Sequence, residues 1–169
     1  MFASLIGLFS CGRIDLPTVK ELDVERYMGT WYEIARLPNS FEKGLDCVSA
    51  TYTLREDWKI TVLNKGRKIE DPDEIKSIKG VAWVPDKDFP GRLKVRFFWP
   101  FSGKYWIISL DENYQYALVG APDRQYLWVL SKSPELEDAV YDSMLEIANK
   151  NGFDISKMIV VNQNCRKSL

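Results

Sequence analysis

The alternation of apolar and polar side chains across residues 48–131 constrains the fold of this chain more than any other feature of its sequence. Successive side chains of a strand point to opposite faces, so a period of two predicts strands with one face in a core. Residues 92–97 are the clearest case, because cationic and apolar side chains alternate there. Strands with this pattern are predicted at residues 48–54, 59–65, 75–84, 92–97, 104–110, 115–121 and 126–131, after an opening strand at residues 31–35.

The spacing of apolar side chains changes after residue 131, from every second residue to the spacing of a helix. Ser133 is suited to cap a helix and Pro134 to its first position. Residues 136–148 then repeat apolar side chains at helical spacing up to about Lys150, where Gly152 ends the helix. Short connections favour an antiparallel meander, and closure removes the exposed edges of its sheet. The sequence therefore predicts an all-β fold, an eight-stranded antiparallel up-and-down β-barrel with one C-terminal α-helix packed outside, and a short last strand at residues 158–161.

The absence of histidine narrows the function. The chain has no His base and no His metal ligand, and its three cysteines are too far apart in sequence for a zinc site. We therefore expect no catalytic residue, metal or cofactor, although enzymes that use only Asp, Glu or Tyr stay open. The formal net charge of −1 gives no reason to expect nucleic acid as a partner.

The first residues predict export. Residues 1–9 form an uncharged apolar run, too short to span a bilayer, and it leads into Leu8-Phe9-Ser10-Cys11. This segment resembles the lipobox of bacterial lipoproteins, which implies lipidation of Cys11. Gly12 is not the Asp that retains such proteins in the inner membrane, so the resemblance implies an outer-membrane anchor with the protein facing the periplasm. We assign residues 1–21 to the signal, lipobox and linker and 22–169 to the domain; an ordinary secretory remnant with an incidental cysteine stays open.

Cys47 and Cys165 remain as an even pair. In an oxidising compartment such a pair favours a disulfide, which would tie the loop before the strand at residues 48–54 to the C-terminal tail. Two unpaired buried thiols are the alternative.

Several segments, in this order and spacing, resemble the lipocalins, above all the bacterial outer-membrane lipocalins and more distantly the apolipoprotein D branch. They are Gly29-Thr30-Trp31 within residues 27–36, then residues 41–44, 50–54, 97–101, 111–114, 117–119, 122–124 and 126–131. The resemblance runs from about Leu22 to Val161 and implies a barrel that encloses a hydrophobic ligand.

The resemblance also implies a closed barrel end. The motif residues Gly29 and Trp31 lie there, and the family usually stacks an Arg on the Trp from beyond the last barrel strand. This chain has Lys132 at that position. Lysine stacks on an aromatic ring less well than a planar guanidinium, so we expect a slightly looser end.

Strand phases and the resemblance together predict the ligand contacts. Charged residues mark the outer face of each strand, and the resemblance places Trp128 inside. The expected ligand-binding residues are Val62, Asn64, Ala82, Val95, Phe97, Tyr105, Ile107 and Trp128. Such a lining suits a fatty acid or a lysophospholipid, with an apolar body and a small polar head.

Two other functions stay open. One is a carrier of a rigid hydrophobe, such as a pigment or haem. The other is a lipocalin-type isomerase, which would need a free, reactive Cys47 thiol.

Residues 97–101 form an aromatic cluster whose five side chains cannot all point inward. Packing under a neighbouring loop is the favoured interpretation, and a homodimer contact or a membrane-touching rim is the alternative.

Overall fold

A computed structural model of the protein describes residues 15–165. It contains a one-turn helix α1, eight long strands, a C-terminal helix α2, a 3₁₀ turn and a short last strand. In chain order these are α1 Val24–Tyr27, β1 Gly29–Arg36, β2 Leu45–Leu54, β3 Ile60–Lys68, β4 Ile75–Trp83, β5 Arg92–Phe98, β6 Phe101–Leu110, β7 Tyr116–Gly120, β8 Leu127–Ser131, α2 Asp138–Lys150, the turn Ile155–Lys157 and β9 Ile159–Val160.

The eight long strands form a closed antiparallel barrel. Strands β2 to β8 pair in sequence order, and β1 pairs with both β8 and β2 to close the ring. Strand β9 adds to the far end of β1, where Ala35 pairs with Val160. The predicted fold class is confirmed, including the helix outside the barrel.

Helix α2 begins later than predicted. The expected cap at Ser133 is wrong, because the helix starts at Asp138 with Glu137 as its N-cap. The hydroxyl of Ser133 instead accepts a hydrogen bond from the amide of Glu135, which closes a local turn. Residues 133–137 stay outside the helix and carry the chain from β8 to the outer face of the barrel.

Apolar side chains separate into two cores. The interior core contains Trp31, Ile60 and Leu93, whereas Ile108 and Met144 belong to a second core between the sheet and α2. The second core covers Ile108 and Trp106, the outward side chains of β6. Among residues 15–165, no helix is long and apolar enough to cross a membrane.

The closed end of the barrel is built around Trp31, which is fully buried. Its indole Nε1 donates to the carbonyl of Tyr27 at 2.8 Å, so α1 is fixed across this end. Lys132 Nζ lies 4.4 Å from the centroid of the Trp31 ring and donates to the carbonyl of Met28. Burial lowers the pKa of the Lys132 ammonium. Gly29 has φ +95°, and a Cβ there would lie 3.3 Å from Lys132 Nζ, so glycine suits both the backbone and the space.

Cys47 and Cys165 form a disulfide, as predicted, with their Cα atoms 5.9 Å apart. The bond ties β2 to the C-terminal tail, where Cys47 N also donates to the carbonyl of Asn162 at 2.9 Å. The two cysteines are 118 residues apart in sequence. A crosslink over so long a loop stabilises a fold by roughly 4–5 kcal/mol in the chain-entropy account.

Candidate ligand-binding site

The barrel encloses a cavity of about 790 Å³ with a mostly apolar lining. This volume lies within the range of roughly 300–1,000 Å³ that small-molecule sites occupy. The predicted contacts that line it are Val62, Asn64, Ala82, Val95, Phe97, Tyr105 and Trp128. Ile107 does not line the cavity and is fully buried in the interior core.

Strands β3 to β5 form the apolar wall. Ile60 pairs with Ala82, which in turn pairs with Val95, so the three side chains lie side by side on the inner face. Gly80 lies on the same face, and a Cβ there would come within 2.6 Å of the Phe97 ring. The missing side chain therefore leaves the space that Phe97 occupies against the wall.

Three tyrosines meet on the inner surface near the closed end. Tyr105 shares hydrogen bonds with Tyr27 at 2.8 Å and with Tyr52 at 3.0 Å between hydroxyl oxygens. Burial is the main cause that raises the pKa of all three phenols. The trio therefore stays uncharged and satisfies most of its polar groups internally.

Sequence reasoning missed a group of charges in the wall, which we call the acid–arginine cluster: Glu33, Arg36 and Glu42. Their exposed fractions are 3%, 5% and 7%. Arg36 Nη1 lies 2.5 Å from Glu33 Oε1, and Arg36 Nη2 donates to the carbonyls of Glu42 and Leu45 at 3.0 and 3.1 Å. Glu33 shares the inward phase of Trp31, which was the signal that could have revealed it.

The cluster joins the loop after β1 to the wall of β8. Trp128 Nε1 donates to Glu42 Oε2 at 3.1 Å, and the side-chain amide of Asn39 donates to the same oxygen. Glu33 and Glu42 both line the cavity. Burial raises the pKa of the Glu33 carboxyl well above its usual range, and the neighbouring Glu42 carboxylate adds to the shift against the opposing hydrogen bond from Arg36.

Aromatic side chains surround the open end. Tyr126 and Trp128 stack with ring planes 6° apart and centroids 5.9 Å apart, and Phe41 packs beside both. The favoured packing of the 97–101 cluster is wrong for three of its residues, because Phe98, Trp99 and Phe101 are 70%, 81% and 78% exposed. The connection between β5 and β6 has only two residues, too few to fold these side chains back onto the barrel. Phe97 packs against the inner wall, whereas Phe98 and Phe101 border the cavity and stay largely exposed.

Among residues 15–165, no group of three or more Cys, Asp and Glu lies close enough together to hold a metal ion. Cys47 is in a disulfide and so lacks the thiol that the isomerase hypothesis requires. Cys11 lies outside the residues that the structure describes.

Replacement of Glu33 by Gln is expected to change how stability depends on pH. Burial raises the pKa of the Glu33 carboxyl well above its usual range, so the folded protein holds that proton to higher pH than the unfolded chain does. The folded state then binds more protons, so the free energy of unfolding falls as pH rises through this window. Glu33→Gln removes the carboxyl and its pH-dependent loss of stability.

Urea unfolding of both proteins between about pH 4.5 and about pH 8 measures this difference. The variant is expected to gain stability relative to the unsubstituted protein as pH rises. Glu146→Gln, on the exposed side of α2, is the matched control and should leave the slope unchanged. Parallel curves for Glu33→Gln and the unsubstituted protein would contradict the assignment.

Comparison with known proteins agrees with this fold and cavity. Residues 22–163 match the family model described as a lipocalin-like domain. The outer membrane lipoprotein Blc of Citrobacter freundii is 47% identical over 148 residues, covering 88% of this chain and 83% of that protein. Apolipoprotein D of Bos taurus is 32% identical over 170 residues, covering 95% and 88%.

A solved structure gives the same architecture. Insecticyanin from the tobacco hornworm Manduca sexta superposes with a TM-score of 0.72 at 25% identity, covering 92% of this chain and 89% of that one. With a family match over most of its length and these relatives, the chain belongs to the lipocalin family.

Proposed function

We propose that this lipocalin binds, stores or transports a single-chain lipid, a fatty acid or a lysophospholipid. The observation that carries the proposal is the mostly apolar cavity of about 790 Å³ inside the closed barrel. Each buried CH₂ group contributes ~0.8 kcal/mol, so a chain of about twelve carbons contributes roughly 10 kcal/mol before the cost of association. Binding, and not catalysis, is the function that this cavity supports best.

Trp128 is the residue best placed to test the site. Its indole lies on the cavity wall between the stacked Tyr126 and the hydrogen-bonded Glu42. Trp128→Ala is expected to weaken binding of a dansylated acyl chain about tenfold, because it removes apolar contact area and frees Phe41 and Tyr126 to move. Trp58→Ala is the matched control, since that exposed tryptophan lies in the loop between β2 and β3, away from the cavity lining.

The measurement is a titration of delipidated protein followed by the anisotropy of the probe. Anisotropy does not depend on tryptophan emission, so loss of an indole does not remove the signal. One-to-one binding that only Trp128→Ala weakens supports the proposal. Absence of binding by the folded, delipidated protein would overturn it, and colour in the purified protein would favour the pigment or haem alternative.

A lipid anchor on Cys11 in the outer membrane, facing the periplasm, belongs to the same proposal. Its support is the segment Leu8-Phe9-Ser10-Cys11 and the name of the Citrobacter freundii relative, an outer membrane lipoprotein. The assignment of residues 1–21 to the signal and linker and of 22–169 to the domain rests on the same segment.

Cys11→Ser is expected to move the protein from the outer-membrane fraction to the soluble fraction, because it removes the acylated thiol. Gly12→Asp keeps the cysteine and is expected to retain the protein in the inner membrane. Fractionation of bacterial cells that produce each variant, with intact-mass spectrometry, checks both. A protein whose mass carries no acyl chain would refute the anchor.

Self-association through the exposed aromatic rim, Phe98, Trp99 and Phe101, is the last part of the proposal. These side chains are mostly exposed, and large apolar groups clustered at one place favour contact with another surface. A homodimer that brings two open ends together would cover them.

Sedimentation velocity over a range of concentrations tests the dimer. The unsubstituted protein is expected to shift from monomer to dimer, and Trp99→Ser with Phe101→Ser to remain monomeric. Trp58→Ser is the control, because it removes an exposed tryptophan outside the rim. A protein that stays monomeric at every concentration would overturn the dimer and favour a membrane surface as the partner of the rim.

A further inference from the structure

The acid–arginine cluster places its acceptors toward the cavity and its cation away from it. Glu33 and Glu42 both contribute to the lining, whereas Arg36 does not. The guanidinium donates to Glu33 and to two backbone carbonyls, and these three hydrogen bonds all end within the wall. A ligand in the cavity therefore meets the carboxyl groups and not the cation.

The nearby donors are also engaged with the wall. Trp128 Nε1 and the amide of Asn39 both donate to Glu42. The hydroxyls of Tyr27, Tyr52 and Tyr105 use two of their three hydrogens in the bonds that join them. A head group that only accepts hydrogen bonds finds few donors on this side of the cavity.

Asn64 has a buried acceptor oxygen that no donor of the described protein reaches. Its side-chain oxygen Oδ1 is buried, lines the cavity and has no hydrogen-bond partner in the described part of the chain. Burial of an unpaired acceptor costs free energy that a donating ligand recovers. β3 carries Asn64 opposite Ala50 of β2, the strand beside β1, so it faces the same interior as Glu33.

The charged residues of the whole cavity lining include more acids than bases. Its acidic members are Asp15, Glu33, Glu42 and Asp123, and its basic members are Lys104 and Arg124. Arg124 lies in the loop between β7 and β8, and Lys104 is exposed near the start of β6. Asp123 lies in the same loop as Arg124, and Asp15 and Asp123 are exposed. The two buried charged residues of the lining, Glu33 and Glu42, are both acidic.

We propose that Glu33, Glu42 and Asn64 form a head-group subsite that accepts hydrogen bonds from an amphiphile carrying a primary ammonium and discriminates against a carboxylate. The inference rests on the proposed function, because it needs an alkyl chain in the apolar part of the cavity. The ammonium donates three hydrogen bonds, and its positive charge favours the ionised form of the Glu33 carboxyl, which burial otherwise disfavours. A carboxylate head of a fatty acid is repelled from this wall and is left at the open end.

Matched alkyl chains separate the head group from the tail. Dodecylammonium, dodecanol and dodecanoate are titrated at neutral pH against protein loaded with N-phenyl-1-naphthylamine, an uncharged fluorescent probe. Dodecylammonium is expected to displace the probe at about tenfold lower concentration than dodecanoate, with dodecanol between them. In Glu33→Gln with Glu42→Gln this ratio is expected to fall to about twofold or less.

Glu135→Gln with Glu146→Gln is the matched control, because it removes two exposed carboxylates from the outside of the barrel and should leave the ratio unchanged. Asn64→Val provides a second variant that leaves the acid–arginine cluster intact, and it is expected to weaken dodecylammonium and dodecanol more than dodecanoate. Retention of the probe by each variant shows that the cavity is still formed.

The outcomes separate the subsite from the proposed function. Displacement by all three compounds with a ratio near one, or with dodecanoate strongest, would overturn the subsite and leave the lipid-binding function standing. A preference that survives both the double variant and Asn64→Val would also overturn it. Failure of every compound to displace the probe would instead overturn the proposed function.

Discussion

Closure of the barrel through β1 is the interaction on which the rest of this molecule depends. The first half of β1 pairs with β2 and its second half with β8, so this one strand turns a meander into a ring. The same strand carries Trp31 at the closed end and Glu33 and Arg36 on the inner wall. One segment of eight residues therefore closes the sheet, seals one end of the barrel and carries the buried charges.

A bulge in β1 makes this arrangement possible. The register with β8 shifts between Glu33 and Ala35, so the strict alternation of faces is broken once. Because of the bulge, Ala35 faces outward with Ile34 and packs in the core beneath α2. Arg36 then lies on the same side of the strand as Glu33 and pairs with it. Without the extra residue, Arg36 would share the phase of Ile34 and point away from Glu33.

The sequence was sufficient for the fold and for several residues of the cavity lining, because both follow from the period of two. Lys94 marked the outside of β5, and Val95 and Phe97 line the cavity as that phase requires. The same rule hid the acid–arginine cluster, since it assumes that charges face water. Glu33 and Arg36 break the assumption because each compensates the other's burial, a contact that only the closed barrel reveals. Ser133 was misassigned for a local reason: its hydroxyl bonds two residues ahead and not to a helix end.

Buried charge is an expensive feature of a barrel whose stability comes from apolar packing. Two carboxyl groups beside one guanidinium stabilise a fold less than well-packed apolar side chains of the same size, because desolvation opposes their attraction. The shifted pKa of Glu33 is the direct sign of that cost. An apolar wall without these charged groups would hold an alkyl chain equally well. The cost is understandable where the wall also orients a ligand: an alkyl chain gives affinity but little direction, and a fixed group of acceptors beside Trp128 distinguishes one end of the ligand from the other.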